Sequence, residues 1–229
     1  MPIDQLEILA LSYLWPFLRI SALLMVAPIF GAGTVSVRIR VVLAALLSAL
    51  MAPMLPVNAA IEFFSAPGIL MALREIVIGL AMGFVMQMIF GAVVLAGQSI
   101  ATGMGLGFAM AVDPQNGVQV PIVSQIKVVI ATLLFLAIDG HLMLLSAVFQ
   151  SFALVPLTDP GFAVTGFENV VSLGSQLFAS ALLLGLPTLT AVLMINIAFG
   201  VITRASPQLN IFAVGFPVTI VVGLVFLFL

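Results

Sequence analysis

Residues Gly103–Gln125 read GMGLGFAMAVDPQNGVQVPIVSQ and differ from the long apolar segments on either side of them. Glycines recur along this stretch and permit positive φ, which a Cβ disfavours. Large apolar side chains alternate with the first glycines, and Asp113-Pro114 and Asn116-Gly117 add turn signals. Non-helical backbone at membrane depth is tolerated only inside protein or beside a water-filled cavity. We therefore predict a buried, non-helical loop here and expect it to be the functional site of the molecule.

The composition is that of an integral membrane protein. Hydrophobic residues make up 64% of the 229 positions, and only 6 Lys and Arg and 8 Asp and Glu are present. Soluble domains usually carry about 25% charged residues. This chain therefore has too few charged side chains to cover the surface of a soluble fold. The absence of cysteine excludes disulfides and thiolate chemistry, and no basic patch indicates nucleic-acid binding. The acidic start, MPIDQLEIL, does not resemble a cleavable signal peptide, so we expect the first apolar segment to be retained.

Long uncharged intervals predict an all-α membrane protein of about six long helices or helical hairpins, several of them kinked, with the buried loop between helices three and four. The segments cover roughly 3–26, 37–54, 69 onwards, 121–152, 169–203 and 213–229. Segments three and five would each be about 50 Å long as helices, against a hydrocarbon core of ~30 Å. We expect them either to break, as at Pro187, or to extend beyond the bilayer. The apolar run that stops at Leu229 without a cap predicts a longer natural chain.

Polar residues in apolar surroundings are the next candidates, because ionisable groups in membranes need partners. Arg74 and Glu75 lie at the start of segment three. Their charges could be neutralised by a mutual ion pair or by ion pairs with another chain. Gly79 and Gly83 form a small-xxx-small pattern, for which we favour tight helix packing. His141 fits either a proton relay or a hydrogen-bonded group at a helix interface, and we favour the second. The following residues complete the predicted set of buried polar groups and subunit contacts: Lys127, Asp139, Arg204, Pro207, Gln208 and Asn210.

Catalysis is not predicted. The sequence lacks His-Glu-x-x-His, Gly-x-Ser-x-Gly and cysteine, and the Gly105–Asp113 spacing does not fit an intramembrane aspartyl protease. No metal or cofactor is expected. On physical grounds alone, a secondary transporter with a broken-helix binding site at 103–125 is the main alternative function.

Four ordered motifs resemble the FliR/SctT family, export-gate components of bacterial flagellar and virulence type III secretion systems. They are REIVIGLAMGF from Arg74, AGQSIATGMGLGFAMAVDPQNGVQVPIVSQ from Ala96, FLAIDGHLMLLSAVFQSFALVP from Phe135 and RASPQLNIFAVGFP from Arg204. The likeness covers essentially the whole chain, and the DPQNG and GFP details favour the flagellar members. The chain departs from the family in its abrupt C-terminus.

The resemblance implies a subunit of the flagellar protein export gate, which lets unfolded flagellar proteins cross the inner membrane. One such subunit is expected to assemble with several FliP-like and FliQ-like subunits, with an FlhB-like protein at the cytoplasmic entrance. The chain would form one export-gate domain over 1–229, FliP-like over roughly 1–170 and a FliQ-like hairpin over roughly 171–229. The expected location is the inner membrane within the flagellar basal body, largely on the periplasmic side, which would account for the overlong segments.

The resemblance also implies that the loop at 103–125 is a plug that helps to seal the channel. Apolar side chains of Phe108, Met110 and Val112 would form the seal, because a flexible apolar constriction can close a pore by dewetting. Glycines would let the seal move, and hydrogen bonds from Asp113, Gln115 and Asn116 would fix the loop. The complete predicted plug consists of Gly103, Met104, Gly105, Gly107, Phe108, Met110, Val112, Asp113, Pro114, Gln115, Asn116 and Gly117.

Overall fold

The computed structural model describes residues 3–55, 64–113, 115–157, 165–206 and 211–228, and within them the fold is almost entirely helical. The all-α membrane class predicted from the sequence is confirmed, although the described residues contain seven α-helices rather than about six. The helices are α1 (Ile3–Val26), α2 (Val37–Met51), α3 (Ala66–Gly103), α4 (Ile122–Ala137), α5 (Gly140–Leu154), α6 (Thr165–Ala205) and α7 (Ile211–Phe228). A 3-10 turn, Ala52–Met54, extends α2, and two short strands, β1 (Met110–Val112) and β2 (Gln119–Pro121), connect α3 to α4.

Three helices of the described chain are long and apolar enough to cross a membrane: Val37–Met54, Ala66–Gly103 and Glu168–Ala205. A fourth crossing is added if α4 and α5 count as one broken span. The two overlong segments do not break, because α3 and α6 run continuously for 38 and 41 residues. At 1.5 Å per residue they reach roughly 57 and 62 Å, about twice the hydrocarbon thickness.

Helix α3 ends at Gly103, well before the end of the uncharged interval, because the backbone turns at Gly105. The Gly105 φ of +76° lies in the left-handed region, where glycine pays no Cβ penalty. The Gly105 N–H donates to the Thr102 carbonyl at 3.1 Å, and the Leu106 N–H donates to the Ala101 carbonyl at 2.8 Å. This pair of bonds is a Schellman cap, which satisfies the carbonyls at a helix C-terminus.

The segment predicted over 121–152 consists of two helices, since the chain bends by 66° between α4 and α5. Asp139 adopts φ +56° at the bend, a conformation that aspartate tolerates better than most residues. The ring of Phe135 packs so closely on Gly140 that a Cβ there would lie 2.5 Å from two ring carbons. The bend therefore depends on two adjacent residues that suit a sharp change of direction.

The chain divides into two compact units. The first comprises the described parts of 1–88 and 134–173, with a core built around Trp15, Leu23 and Leu24. Helix α3 approaches α1 closely in this unit, since a Cβ on Gly83 would lie 3.0 Å from the Leu23 carbonyl oxygen. A Cβ on Gly79 would overlap the carbonyl oxygen of Arg19. The glycine pattern of α3 thus serves tight packing within the chain.

The second unit comprises the described parts of 89–133 and 174–229. Its core includes Ile100, Met104 and Val192, and the Ser124 hydroxyl donates to the Val94 carbonyl at 3.1 Å. A Cβ on Gly97 would overlap Ser124, so α3 and the first turn of α4 are in close contact. The division near residue 170 into a FliP-like part and a FliQ-like hairpin describes likeness to other proteins, and it stays a prediction.

Candidate functional site

Residues 109–122 form an antiparallel hairpin, which we call the hairpin. Ala111 of β1 is paired with Val120 of β2 at its centre, and the Ile122 N–H donates to the Ala109 carbonyl at 2.9 Å at its base. Residues 103–108, which we call the root, connect α3 to the hairpin. The prediction of non-helical structure over 103–125 is wrong for Gly103, which ends α3, and for 122–125, which begin α4. Between these helices the chain forms a short β-ribbon, which the sequence did not predict.

The root is packed tightly against α7. Met104 is buried, and a Cβ on Gly223 would lie 2.5 Å from its Sδ atom. A Cβ on Gly105 would lie 2.6 Å from Cε2 of Phe216. Helix α7 is therefore in close contact with Met104 and Gly105 at the start of the root.

The tip of the hairpin, the described residues of 113–118, is closed around a buried aspartate. The Asp113 carboxylate accepts the Gln115 N–H on Oδ1 and the Asn116 side-chain amide on Oδ2, each at 2.9 Å. Its main chain pairs with that of Val118 and also accepts the Gly117 N–H, at 2.8 Å in each case. The hydrogen bonds that the sequence predicted for Asp113, Gln115 and Asn116 are present. Pro114, which was also predicted to belong to the plug, lies outside the described residues.

Four large apolar side chains of the hairpin and root are exposed, whereas Met104 and Val120 are buried. Phe108 is 99% exposed, and Met110, Val112 and Val118 are also exposed. The prediction of a buried loop therefore holds for Met104 and Asp113 but is wrong for these side chains on the single chain. The physical reason is that this chain covers one face of the ribbon, where Val120 is buried, while Met110 and Val112 lie on the opposite face.

Glycine is required at fewer positions of the loop than the sequence implied. Gly105 and Gly117 adopt φ of +76° and +70°, whereas Gly103 is the last residue of α3. A Cβ on Gly107 would meet only Thr102, at an ordinary contact distance of 3.7 Å or more. Positive φ therefore calls for glycine at positions 105 and 117, and the mobility predicted for the four glycines stays a prediction.

A buried ion pair in the first unit is a second candidate site. Arg19 Nε donates to Glu75 Oε2 at 2.7 Å, and Arg19 Nη2 donates to Glu75 Oε1 at 3.0 Å, with both side chains fully buried. Arg19 also donates to the Ser151 hydroxyl and the Val155 carbonyl, each at 3.0 Å. Its guanidinium lies 4.0 Å from the centroid of the Phe152 ring. Arg19 thus joins α1 to α3 and to the end of α5.

The sequence did not identify Arg19 as a site residue. The signal was present, because an arginine within an apolar segment needs a partner, but the contact with Glu75 spans 56 positions. The question left open for Arg74-Glu75 is settled within the chain. Glu75 pairs with Arg19, while Arg74 donates to the Pro156 carbonyl from Nη1 and Nη2 at 3.3 and 3.2 Å.

The other predicted polar residues are not brought together. Lys127 is half-buried and has no ion pair within the described ranges, and Asp139 and Arg204 are exposed on this chain. His141 has a buried Nδ1 with no hydrogen-bond partner among the described residues, so the expected interface hydrogen bond is absent at that atom. Three predicted residues lie outside the described part of the chain: Pro207, Gln208 and Asn210. No group of three or more acidic or histidine residues in the described part could hold a metal ion.

Comparison with known proteins places the chain in a family. Residues 10–229 match the model of "Bacterial export proteins, family 1". The chain is 39% identical over 212 residues to the flagellar biosynthetic protein FliR of Escherichia coli strain K12, covering 93% of this chain and 81% of that protein. It is 38% identical over 213 residues to FliR of Pectobacterium carotovorum, with the same coverage, and 29% identical over 219 residues to FliR of Bacillus subtilis strain 168, covering 94% and 84%. The chain therefore belongs to the FliR family of bacterial export proteins.

Proposed function

We propose that the chain is the channel-forming and plug subunit of the flagellar type III protein export gate, which lets unfolded flagellar proteins cross the inner membrane. Family membership and the long apolar helices make it a membrane-embedded component of the flagellar export apparatus. The finer role as plug rests on the hairpin.

The observation that carries this proposal is the contrast between the polar groups of the hairpin tip and the exposed apolar side chains of the hairpin and root. The polar groups of the tip are hydrogen-bonded to Asp113 within the turn. The apolar side chains of Phe108, Met110, Val112 and Val118 are exposed. A fixed backbone that presents apolar side chains can close a pore against ions, since an apolar constriction excludes water. The same side chains offer only non-directional contacts to a passing polypeptide, so they would yield to many sequences.

The proposed assembly contains one copy of this chain with FliP-like and FliQ-like subunits and an FlhB-like protein. Exposed apolar side chains on α2, α4 and α6 support contacts with lipid or with other apolar chains. We place the complex in the basal body, with much of it on the periplasmic side, as the family resemblance implies. The lengths of α3 and α6, about twice the thickness of the hydrocarbon core, support extension beyond the bilayer. The gate conducts unfolded protein and performs no catalysis of its own.

Replacement of Phe108 by serine tests the plug. The variant should raise ion leakage through the gate, or change secretion, without blocking assembly, and replacement of Gly107 by a bulky residue should do the same. Phe178→Ser is a matched control, since Phe178 is an exposed phenylalanine on α6. Leakage is measured as ion flux into vesicles that contain the purified complex, and secretion as filament protein in the culture medium. Normal ion retention and normal motility in both Phe108 and Gly107 variants would rule out the plug.

A native mass measurement of the detergent-extracted protein tests the class of function. A gate subunit should be released together with several other hydrophobic chains. A secondary transporter would be stable alone or as a small homo-oligomer, and that result would overturn the export-gate assignment.

A further inference from the structure

The tip of the hairpin is tied to α4 by a side-chain hydrogen bond that the plug proposal does not use. Gln115 Nε2 donates to Thr132 Oγ1 at 3.0 Å. The Thr132 hydroxyl donates in turn to the Val128 carbonyl at 2.8 Å. Because its proton is engaged by the helix, the Thr132 oxygen is oriented to accept the Gln115 amide.

The two ends of the hairpin are held by different kinds of contact. At the root, Met104 and Gly105 pack against Gly223 and Phe216 with no space for an added Cβ. At the tip, the contact with α4 through Gln115 is a bond between two uncharged side chains that are only partly buried. Such a bond contributes a small net free energy, because water replaces either partner when the bond opens. The tip can therefore separate from α4 at low cost while the root stays in place.

We propose that the hydrogen bond from Gln115 to Thr132 is a latch that holds the hairpin tip against α4 in the closed state. The latch rests on the proposed plug function, and it adds Thr132 to the residues that set the closed position. Opening then begins at the tip, with the bond between Gln115 and Thr132 broken and the hydrogen bonds around Asp113 retained. The turn moves as a unit because Gln115 and Asn116 are each bonded to the Asp113 carboxylate, and these two bonds do not involve α4.

The expected size of the effect follows from the type of bond. Loss of one uncharged hydrogen bond changes an equilibrium constant roughly 2- to 13-fold. We expect Thr132→Val, which keeps the shape of the side chain, to raise the ratio of open to closed tip by that factor. Gln115→Met should do the same, and the double variant should add little to either, because both remove one bond.

The test uses the assembled complex and a spin label at the tip. The chain contains no cysteine, so Gln119→Cys gives a single labelling site on β2 beside the turn, at an exposed position outside the proposed seal. Label mobility reports release of the tip, and ion leakage through the same complex reports opening of the channel. Thr132→Ser retains the hydroxyl and should restore the closed tip. Thr190→Val on α6 is the matched control, since Thr190 bonds the carbonyl four residues earlier as Thr132 does.

The possible results separate the latch from the plug. Higher label mobility in Thr132→Val and Gln115→Met, with Thr132→Ser and Thr190→Val unchanged, supports the latch. Unchanged mobility in both of the first two variants overturns it, even if Phe108→Ser still leaks. A third result is higher label mobility with no change in leakage, in a complex where Phe108→Ser also retains ions. That result supports the bond between Gln115 and Thr132 as a latch of the turn and overturns the plug function.

Discussion

The buried ion pair and the hairpin satisfy their polar groups in opposite ways. Arg19 and Glu75 are far apart in sequence, and Ser151 of α5 and the carbonyl of Val155 complete the hydrogen bonds of Arg19. Asp113 bonds residues within five positions of itself, while Met110, Val112 and Val118 of the hairpin stay exposed. The first region is complete within one chain, as expected of a structural core. The second has its backbone fixed by this chain while its apolar surface is left for other molecules.

The largest effect on stability is expected at the ion pair. Glu75→Ala leaves the Arg19 charge buried without its carboxylate, which typically costs about 3–5 kcal/mol. The thermal unfolding temperature in detergent should fall steeply. Glu168→Ala is the control, because Glu168 is exposed in the first turn of α6 and should change stability by less than about 0.5 kcal/mol. Equal unfolding temperatures for the Glu75 and Glu168 variants would contradict the structural role of the pair.

A smaller effect is expected where α3 meets α1. Gly79→Ala places a Cβ against the Arg19 carbonyl, and overpacking of this kind costs about 1–3 kcal/mol. Gly174→Ala on α6 is a matched control, because its Cβ would meet no atom within 4 Å. There alanine should stabilise the helix by roughly 0.5–1 kcal/mol. Unfolding in a denaturant series should shift the two variants in opposite directions, and a shift in the same direction would argue against the close contact.

Local stability of the hairpin should depend on the Asp113 carboxylate. Asp113→Ala removes the acceptor for the Gln115 N–H and the Asn116 amide, which should lower the local opening free energy by about 1–3 kcal/mol. Hydrogen exchange at residues 115–118 should accelerate while exchange in α1 is unchanged. Asp113→Asn keeps one acceptor oxygen and should lie between the alanine variant and the wild type. Equal protection in all three proteins would show that the turn is held by its backbone alone.

The smallest effect on stability is expected at Phe108. Because its side chain is 99% exposed, Phe108→Ser should change the free energy of unfolding of the isolated chain by less than about 0.5 kcal/mol. The same substitution should change leakage through the complex. A large loss of stability in the isolated chain would mean that Phe108 belongs to the core, and the contrast between the two regions would fail.

The sequence predicted those features that depend on local chemistry. The apolar run that ends before Pro28 placed α1 correctly, and the turn residues around Asp113 predicted its hydrogen bonds. The sequence failed where distant residues decide the outcome. Pairing of β1 with β2 needs a register that three-residue strands do not reveal. The choice of Arg19 rather than Arg74 as the partner of Glu75 depends on how α1 packs against α3, which a single sequence does not specify.

Gly105 carries two kinds of folding information at one position. Its left-handed φ ends α3 through hydrogen bonds with residues at most five positions away. Its missing Cβ leaves room for the ring of Phe216, which lies in another helix much later in the chain. The turn at the end of α3 and the packing of Phe216 therefore both require glycine at this position, and no other residue would satisfy either requirement as well. Agreement of this kind removes competing states from the folding landscape, so the junction between α3 and the hairpin is specified before the hairpin meets any partner.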